Sequence, residues 1–120
     1  MTEYDHIDPN CRIASVLDIF KGRWKGEIIA VLRSGPKRFS TLRSEMPAAS
    51  ARSLTESLRA LERDGILQRR QFEEIPPHVE YSLTARGREL LPLLDQIQRW
   101  GEVHLSCVEA CRETYDHQAS

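Results

Sequence analysis

The 120-residue chain has no apolar run longer than five residues, Ile28 to Leu32, against the roughly 20 that a membrane-spanning helix needs. Its opening MTEYDHIDPN is acidic and polar and lacks the basic and apolar regions of an export signal, so the chain reads as cytoplasmic, with no membrane partner. Cysteine is scarce. Cys11, Cys107 and Cys111 are too few and too unevenly spaced for a disulfide framework, and they suit a reducing compartment. P-loop, GxGxxG, HExxH and GxSxG patterns are all missing. No histidine or cysteine stands in an evident triad, and no paired carboxylates stand out, so nothing calls for catalysis or a cofactor. Without an internal repeat, low-complexity tract or linker, residues 1–120 read as one domain, with a polar arm at 1–10.

Net charge is also small, −1, but it is segregated. Residues 1–20 carry −3, residues 21–70 carry +7 and residues 71–120 carry −5. A cationic block between acidic ends is the electrostatic footprint expected of a surface that meets phosphate.

Apolar spacing supplies the elements. Ile13, Val16, Leu17 and Phe20 recur at helical period before Gly22. Trp24, Ile28, Val31 and Leu32 mark a second helix stopped by Gly35-Pro36. Ser40 is the expected N-cap of a short helix ending at Pro47, and Ser50 that of a longer one running to Asp64 and closed by Gly65. Ile66–Phe72 and Val79–Leu83 then read as strands joined by the proline-rich EEIPPH, a hairpin. Thr84 caps a final helix over 85–113, with a bend expected near Pro92. The order predicts a mainly α fold with a small β-hairpin (α+β). It is a winged helix-turn-helix, with the motif at 40–64, the wing at 66–83, and dimerisation helices at both ends.

In the helix after Ser50, a turn of 100° per residue puts Leu61, Leu54 and Leu58 at about 20°, 40° and 80°. Arg59, Arg52, Arg63 and Glu56 fall at about 180° to 240°, and Thr55 at about 140°. The leucines seat the helix and the basic face points outward, where one helix fits the major groove of a DNA duplex. Ser50, Arg52, Ser53, Thr55 and Glu56 are therefore candidate base contacts or neighbours of them. Arginine can read guanine and glutamate can accept from cytosine, although Glu56 also has the spacing to pair with Arg52 or Arg59. Arg59 suits a base or a phosphate, and Arg63 a phosphate. Arg69, Arg70 and His78 of the wing, with Lys37, Arg38, Ser40 and Arg43 of the preceding helix region, are candidate backbone contacts, which position the protein without reading sequence.

These stretches resemble a known family. GRWKGEIIAVLRSGPKRFSTLRSEMP, the helix pair and PPHVEYSLTARGREL are similar to the HxlR family of bacterial winged-helix transcription regulators, relatives of the MarR family. The likeness runs over about residues 11–101. Its most specific pieces are Gly22-x-Trp24, Gly35-Pro36-x-Arg38-Phe39, Leu58-x-x-Leu61-x-x-x-Gly65 and Pro77-x-x-x-Tyr81-x-Leu83-Thr84. The resemblance implies a homodimer that binds an inverted repeat, with repression as the expected outcome because a dimer over a promoter blocks polymerase. Arg12 stands where a proline often follows the family's N-terminal cysteine, and His78 where a basic side chain is common.

Leu90, Leu93, Leu94, Ile97, Trp100, His104, Leu105 and Val108 form one stripe on the last helix, too long for so small a monomer to cover. A two-fold contact using Leu94, Ile97, Trp100, Leu105 and Val108, with Ile13, Val16, Leu17 and Phe20 of the first helix, would bury it. It would also set two reading helices about 34–36 Å apart, one turn of a palindromic operator. The competing use of the stripe is an intramolecular core. Cys11 lies at a helix start beside Arg12, a setting that favours a thiolate. Relatives in the family respond to oxidants or electrophiles through a cysteine near this place, which makes Cys11, with Cys107 or Cys111 of a partner, a candidate redox switch. The competing reading is three reduced thiols. A Cys107–Cys111 bond within one intact helix does not fit disulfide geometry.

Two rivals remain. His104, Cys107 and Cys111, with His117 beyond, cluster at helical spacing and raise a metal-responsive regulator, but one straight helix cannot wrap four ligands around an ion, and no metal is expected. A winged-helix module for protein contacts, without operator binding, would show little salt-dependent affinity for DNA.

Overall fold

The computed structural model describes residues 9–119; residues 1–8 of the expected polar arm lie outside the described residues. Ile28, Ile29 and Leu32 meet Leu54, Leu58 and Leu61 at the centre of the core, all six essentially inaccessible to water. In chain order the elements are α1 (Ile13–Ile19), α2 (Lys25–Val31), a 3-10 turn (Leu32–Ser34), β1 (Lys37–Arg38), α3 (Phe39–Glu45) and α4 (Ala51–Arg63). Then come β2 (Leu67–Phe72), β3 (His78–Leu83), α5 (Ala85–Glu89) and α6 (Leu91–Ala119). This is a mainly helical winged helix-turn-helix with a small antiparallel sheet. No helix among the described residues is long and apolar enough to cross a membrane.

The ends of α4 follow from local chemistry. Ser53 N–H donates to Ser50 Oγ at 3.0 Å, satisfying one of the orphan donors of the first turn. At the other end Gly65 adopts φ 74°, while Gly65 N–H bonds Glu62 O and Ile66 N–H bonds Leu61 O, each at 3.0 Å. That pair of bonds is the Schellman arrangement, which needs a residue tolerant of left-handed backbone. The chain leaves it directly into β2.

The wing is three-stranded, in the order β1-β3-β2. β2 and β3 pair from Leu67 opposite Leu83 to Phe72 opposite His78. β1 adds Lys37 opposite Tyr81 and Arg38 opposite Glu80, a strand the sequence reading misses because two residues carry no period. It also moves the start of α3. Pairing holds Arg38 extended, φ −73° and ψ 156°, as the N-cap without a side-chain cap bond, so Ser40 is not the cap and sits inside the first turn.

A junction ties the wing to α5. Thr84 N–H donates to Ile66 O at 3.0 Å, and its Oγ1 donates to Gly65 O at 2.7 Å while accepting from Gly87 N–H at 3.1 Å. Gly87 is pressed so closely on this corner that a Cβ there would lie 2.3 Å from Ile66 O.

The expected single final helix is two. α5 stops at Leu90, whose N–H bonds Gly87 O in a tightened turn, and α6 runs on to Ala119. Pro92 is the cause: it offers no N–H to the carbonyl one turn back and its ring crowds that turn. It is accommodated in the first turn of a new helix. α6 buries only Leu91 fully and is about 43 Å long at 1.5 Å per residue. The radius of gyration is accordingly 18.3 Å, against about 14 Å for a compact chain of this length.

Candidate nucleic-acid interface

Burying Leu54, Leu58 and Leu61 turns the opposite side of α4 to solvent, where Arg52, Glu56, Arg59 and Arg63 are all exposed. Ser50, Ser53 and Thr55 are less available. Ser50 Oγ accepts from Ser53 N–H and its own proton goes to Ser53 Oγ at 3.0 Å. The Thr55 hydroxyl donates to Ala51 O at 2.8 Å, a back-bond common for threonine within helices. Arg52 Nε lies 3.0 Å from Glu56 Oε1, one of the two pairings that the spacing permits. Arg59 is left out of it.

Around α4 the cations divide into engaged and unengaged. Lys37 lies on β1 with its Nζ 2.9 Å from Glu45 Oε1 and its side chain mostly covered, so it is spent on anchoring α3. Arg38, Arg43, Arg59, Arg63 and Arg69 form no ion pair among the described residues. Arg69 and Arg70, adjacent on β2, point to opposite faces of the sheet, as strand geometry requires: Arg69 lies opposite Tyr81 and Arg70 opposite Glu80. They therefore cannot serve the same face together. Arg70 also covers the Phe72 ring, 4.7 Å from its centroid, a cation–π contact.

His78 is not a free tip residue. Its ring stacks on Phe72 at 4.6 Å and 12°. Nδ1 is 3.5 Å from Glu74 Oε2 and Nε2 is 3.4 Å from Glu80 Oε2, with only 12% of the side chain exposed. It braces the wing, a role that strand register alone creates. Between wing and helices lies an open cleft of about 540 Å³ edged by Arg38, Ser40, Thr55, Pro76, His78 and Tyr81.

The apolar stripe divides. Phe20, Leu90 and Leu94 pack against the chain's own core, so two of the residues assigned to a partner contact, Phe20 and Leu94, are partly used at home. Ile13, Leu17, Leu93, Ile97, Trp100 and Leu105 remain open to solvent, joined by Val103 and Tyr115, while Val16 and Val108 are half-buried. A groove of about 340 Å³ runs between α1 and α6 along Ile13, Val16, Leu17, Phe20, Leu93 and Ile97. A second, about 510 Å³, follows α6 past Trp100, Cys107, Cys111 and Tyr115. Arg33, in the 3-10 turn that follows α2, donates two hydrogen bonds to Asp95 of α6. The Arg33 hydrogen bond, helped by the charges of Arg33 and Arg99 and opposed by desolvation, holds the Asp95 carboxyl below the usual carboxylate range.

Cys11, Cys107 and Cys111 are all free and exposed. His104 lies against Trp100, ring centroids 4.7 Å apart, and His117 Nδ1 is 2.9 Å from Glu113 O. Among the described residues no three His, Cys, Asp or Glu groups gather into a set able to hold a metal ion.

The model of a family described as HxlR-like helix-turn-helix matches residues 19–109. The chain is 41% identical over 115 residues to YybR of Bacillus subtilis (strain 168), an uncharacterised HTH-type transcriptional regulator, covering 93% of this chain and 92% of that protein. The redox regulator HypR in its reduced form superposes with a TM-score of 0.77 at 40% identity, over 83% of this chain and 99% of HypR. Its oxidised form gives 0.72 at 42%, over 78% and 97%. The reduced form of the transcriptional regulator YodB from B. subtilis gives 0.72 at 33%, over 82% and 95%.

Proposed function

The chain belongs to the HxlR-like helix-turn-helix family and is a winged-helix transcriptional regulator; from that premise we propose that it is a homodimeric repressor of an inverted-repeat operator, switched by thiol oxidation. The observation that carries the DNA reading is the outward strip of α4: Arg52, Glu56, Arg59 and Arg63 exposed over three buried leucines, beside the exposed Arg69 and Arg70 of the wing. On this reading Arg38, Arg43 and Arg63 neutralise phosphates, with Arg69 and Arg70 reaching them from opposite faces of the wing. Ser40 adds a polar backbone contact, and Ser50, Ser53, Thr55 and His78 support the surface rather than lead it.

The dimer reading rests on the apolar faces of α1 and α6, which a single chain leaves wet. A two-fold mate would cover Ile13, Leu17, Ile97, Trp100 and Leu105, with Val16 and Val108 at the margin and Phe20 and Leu94 beneath.

The switch rests on three exposed thiols and on the likeness to HypR, a redox regulator solved in oxidised and reduced forms. Cys11 flanks the α1–α6 groove, whose lining begins at Arg12. A disulfide between Cys11 and the partner's Cys107 or Cys111 would form as two thiols give up two electrons and two protons to an oxidant such as diamide, which becomes the hydrazine. The bond would then tie one protomer's α1 to its mate's α6 and change the spacing of the reading helices. The test is titration of upstream genomic DNA at two salt concentrations, with and without diamide, on wild type and Cys11→Ser. Binding that weakens with salt and is altered by diamide only when Cys11 is present supports the reading. An unchanged oxidant response in Cys11→Ser removes the switch, and salt-insensitive or absent binding removes the DNA assignment.

A further inference from the structure

Glu56, an expected candidate for reading cytosine, sits in a different position chemically. We propose that Glu56 is a positioning residue: it holds Arg52 so that this arginine reads a guanine, and reads no base itself. The inference rests on the proposed operator binding and deepens it.

The pair is Arg52 Nε to Glu56 Oε1 at 3.0 Å, with the two side chains 89% and 63% exposed. Because the contact engages Nε, both terminal amino groups of the guanidinium keep their hydrogens. Those two groups form the edge that matches O6 and N7 of guanine in the major groove. The carboxylate thus aims the fork and leaves its working edge free.

Two of the other polar side chains near this end of the helix, Ser50 and Thr55, have committed their protons, while Ser53 lies off the outer face and accepts from Ser50. Ser50 donates to Ser53 and Thr55 donates to Ala51 O. Arg52 is therefore the group in the first turn of the outer face with unspent donors, which makes guanine the base it suits.

The pair makes little sense as a helix stabiliser. A helix start favours acidic side chains and disfavours cations, yet the first turn of α4 has no acidic residue and carries Arg52. Glutamate is also better placed before its cation than after it at this spacing, the reverse of the order here. An exposed pair of this kind biases the arginine's rotamers only about twofold in water. Inside a groove that excludes water the same contact strengthens, so its effect belongs to the bound state.

The experiment is selection of binding sites from a randomised duplex library. It is followed by competition with single base-pair changes, on wild type, Arg52→Ala, Glu56→Ala, Glu56→Gln and the Arg52→Ala/Glu56→Ala double variant, each checked for native melting. Wild type is expected to select a guanine at one symmetric position. Arg52→Ala should lower discrimination there by about 5- to 150-fold, the range of one bidentate contact. Glu56→Ala and Glu56→Gln should lower it severalfold at the same base pair, and removing Glu56 should change nothing further once Arg52 is gone. A merely structural role for Glu56 would leave discrimination at that base pair unchanged in variants that melt like wild type. Relaxation at a different base pair, unchanged discrimination, or independent effects in the double variant would overturn the proposal. Failure of wild type to select any sequence is a separate outcome and would overturn the operator reading itself.

Discussion

Ile97→Asp tests the two-fold contact directly. Ile97 is 48% exposed in the single chain and lines the groove between α1 and α6. Full burial of an isoleucine is worth about 1.5–3 kcal/mol, so covering the open half contributes roughly 1 kcal/mol per protomer. Aspartate forfeits that and adds a carboxylate facing an apolar surface, at a cost on the order of 1–3 kcal/mol after local relaxation. Two-fold symmetry counts each effect twice, giving roughly 4–8 kcal/mol, or about 10³- to 10⁶-fold in the dimer dissociation constant. Sedimentation equilibrium over nanomolar to micromolar protein reads this directly, and circular dichroism controls for folding, which the substitution should spare because the side chain is already half wet. The variant should run as a folded monomer and lose most of its affinity for a full inverted repeat. A dimer of unchanged affinity would refute the assignment of this face, leaving α6 to some other use.

Gly87→Ala should cost about 1–3 kcal/mol by forcing a Cβ onto Ile66 O, a fall in melting temperature of roughly 5–20 °C; melting like wild type would show that the corner yields. Asp95, with its carboxyl held low in the folded chain by Arg33, contributes stability that is present above the unfolded carboxylate range and is lost as pH falls through the folded value. Melting from about pH 3 to 7 should therefore show Asp95→Asn approaching wild type at the acid end and trailing it at neutral pH, and a constant gap would contradict the ion pair's role. Arg59→Ala should weaken binding and reduce the salt dependence of affinity by about 0.9 in log–log slope per protomer if Arg59 meets phosphate. A base contact would instead change the preferred sequence with the slope kept.

Much of the architecture is legible in residue spacing. Leucines at 54, 58 and 61 predict which side of α4 is buried, and Ser50, Gly65 and Thr84 mark real boundaries because capping is chemistry between near neighbours in the chain. What escapes is what distant segments impose. β1 exists only because β3 lies beside it, and that pairing displaces the start of α3 from Ser40. His78 looks like a wing-tip contact until strand register stacks it on Phe72 between Glu74 and Glu80. Lys37 looks available until folding brings Glu45 to it. Arg33 and Asp95 are 62 residues apart, and nothing periodic connects them. The outer strip of α4 is visible in the sequence because it depends on one helix, whereas the division of the α6 stripe depends on how that helix leans on its own domain.

The interruption at Leu90 separates a short helix pinned to the wing from a rod about 43 Å long that, in the proposed dimer, would reach toward a mate. A tilt of only about 5° at that joint would carry the rod's far end through about 4 Å. It would shift the mate bodily, because the pinned side cannot follow without breaking the Thr84 and Gly87 contacts. In the proposed dimer, operator spacing would then be set by how α6 leaves the domain near Pro92, where Arg33 holds Asp95, and substitutions there are where one would retune which sites a pair of such molecules can span.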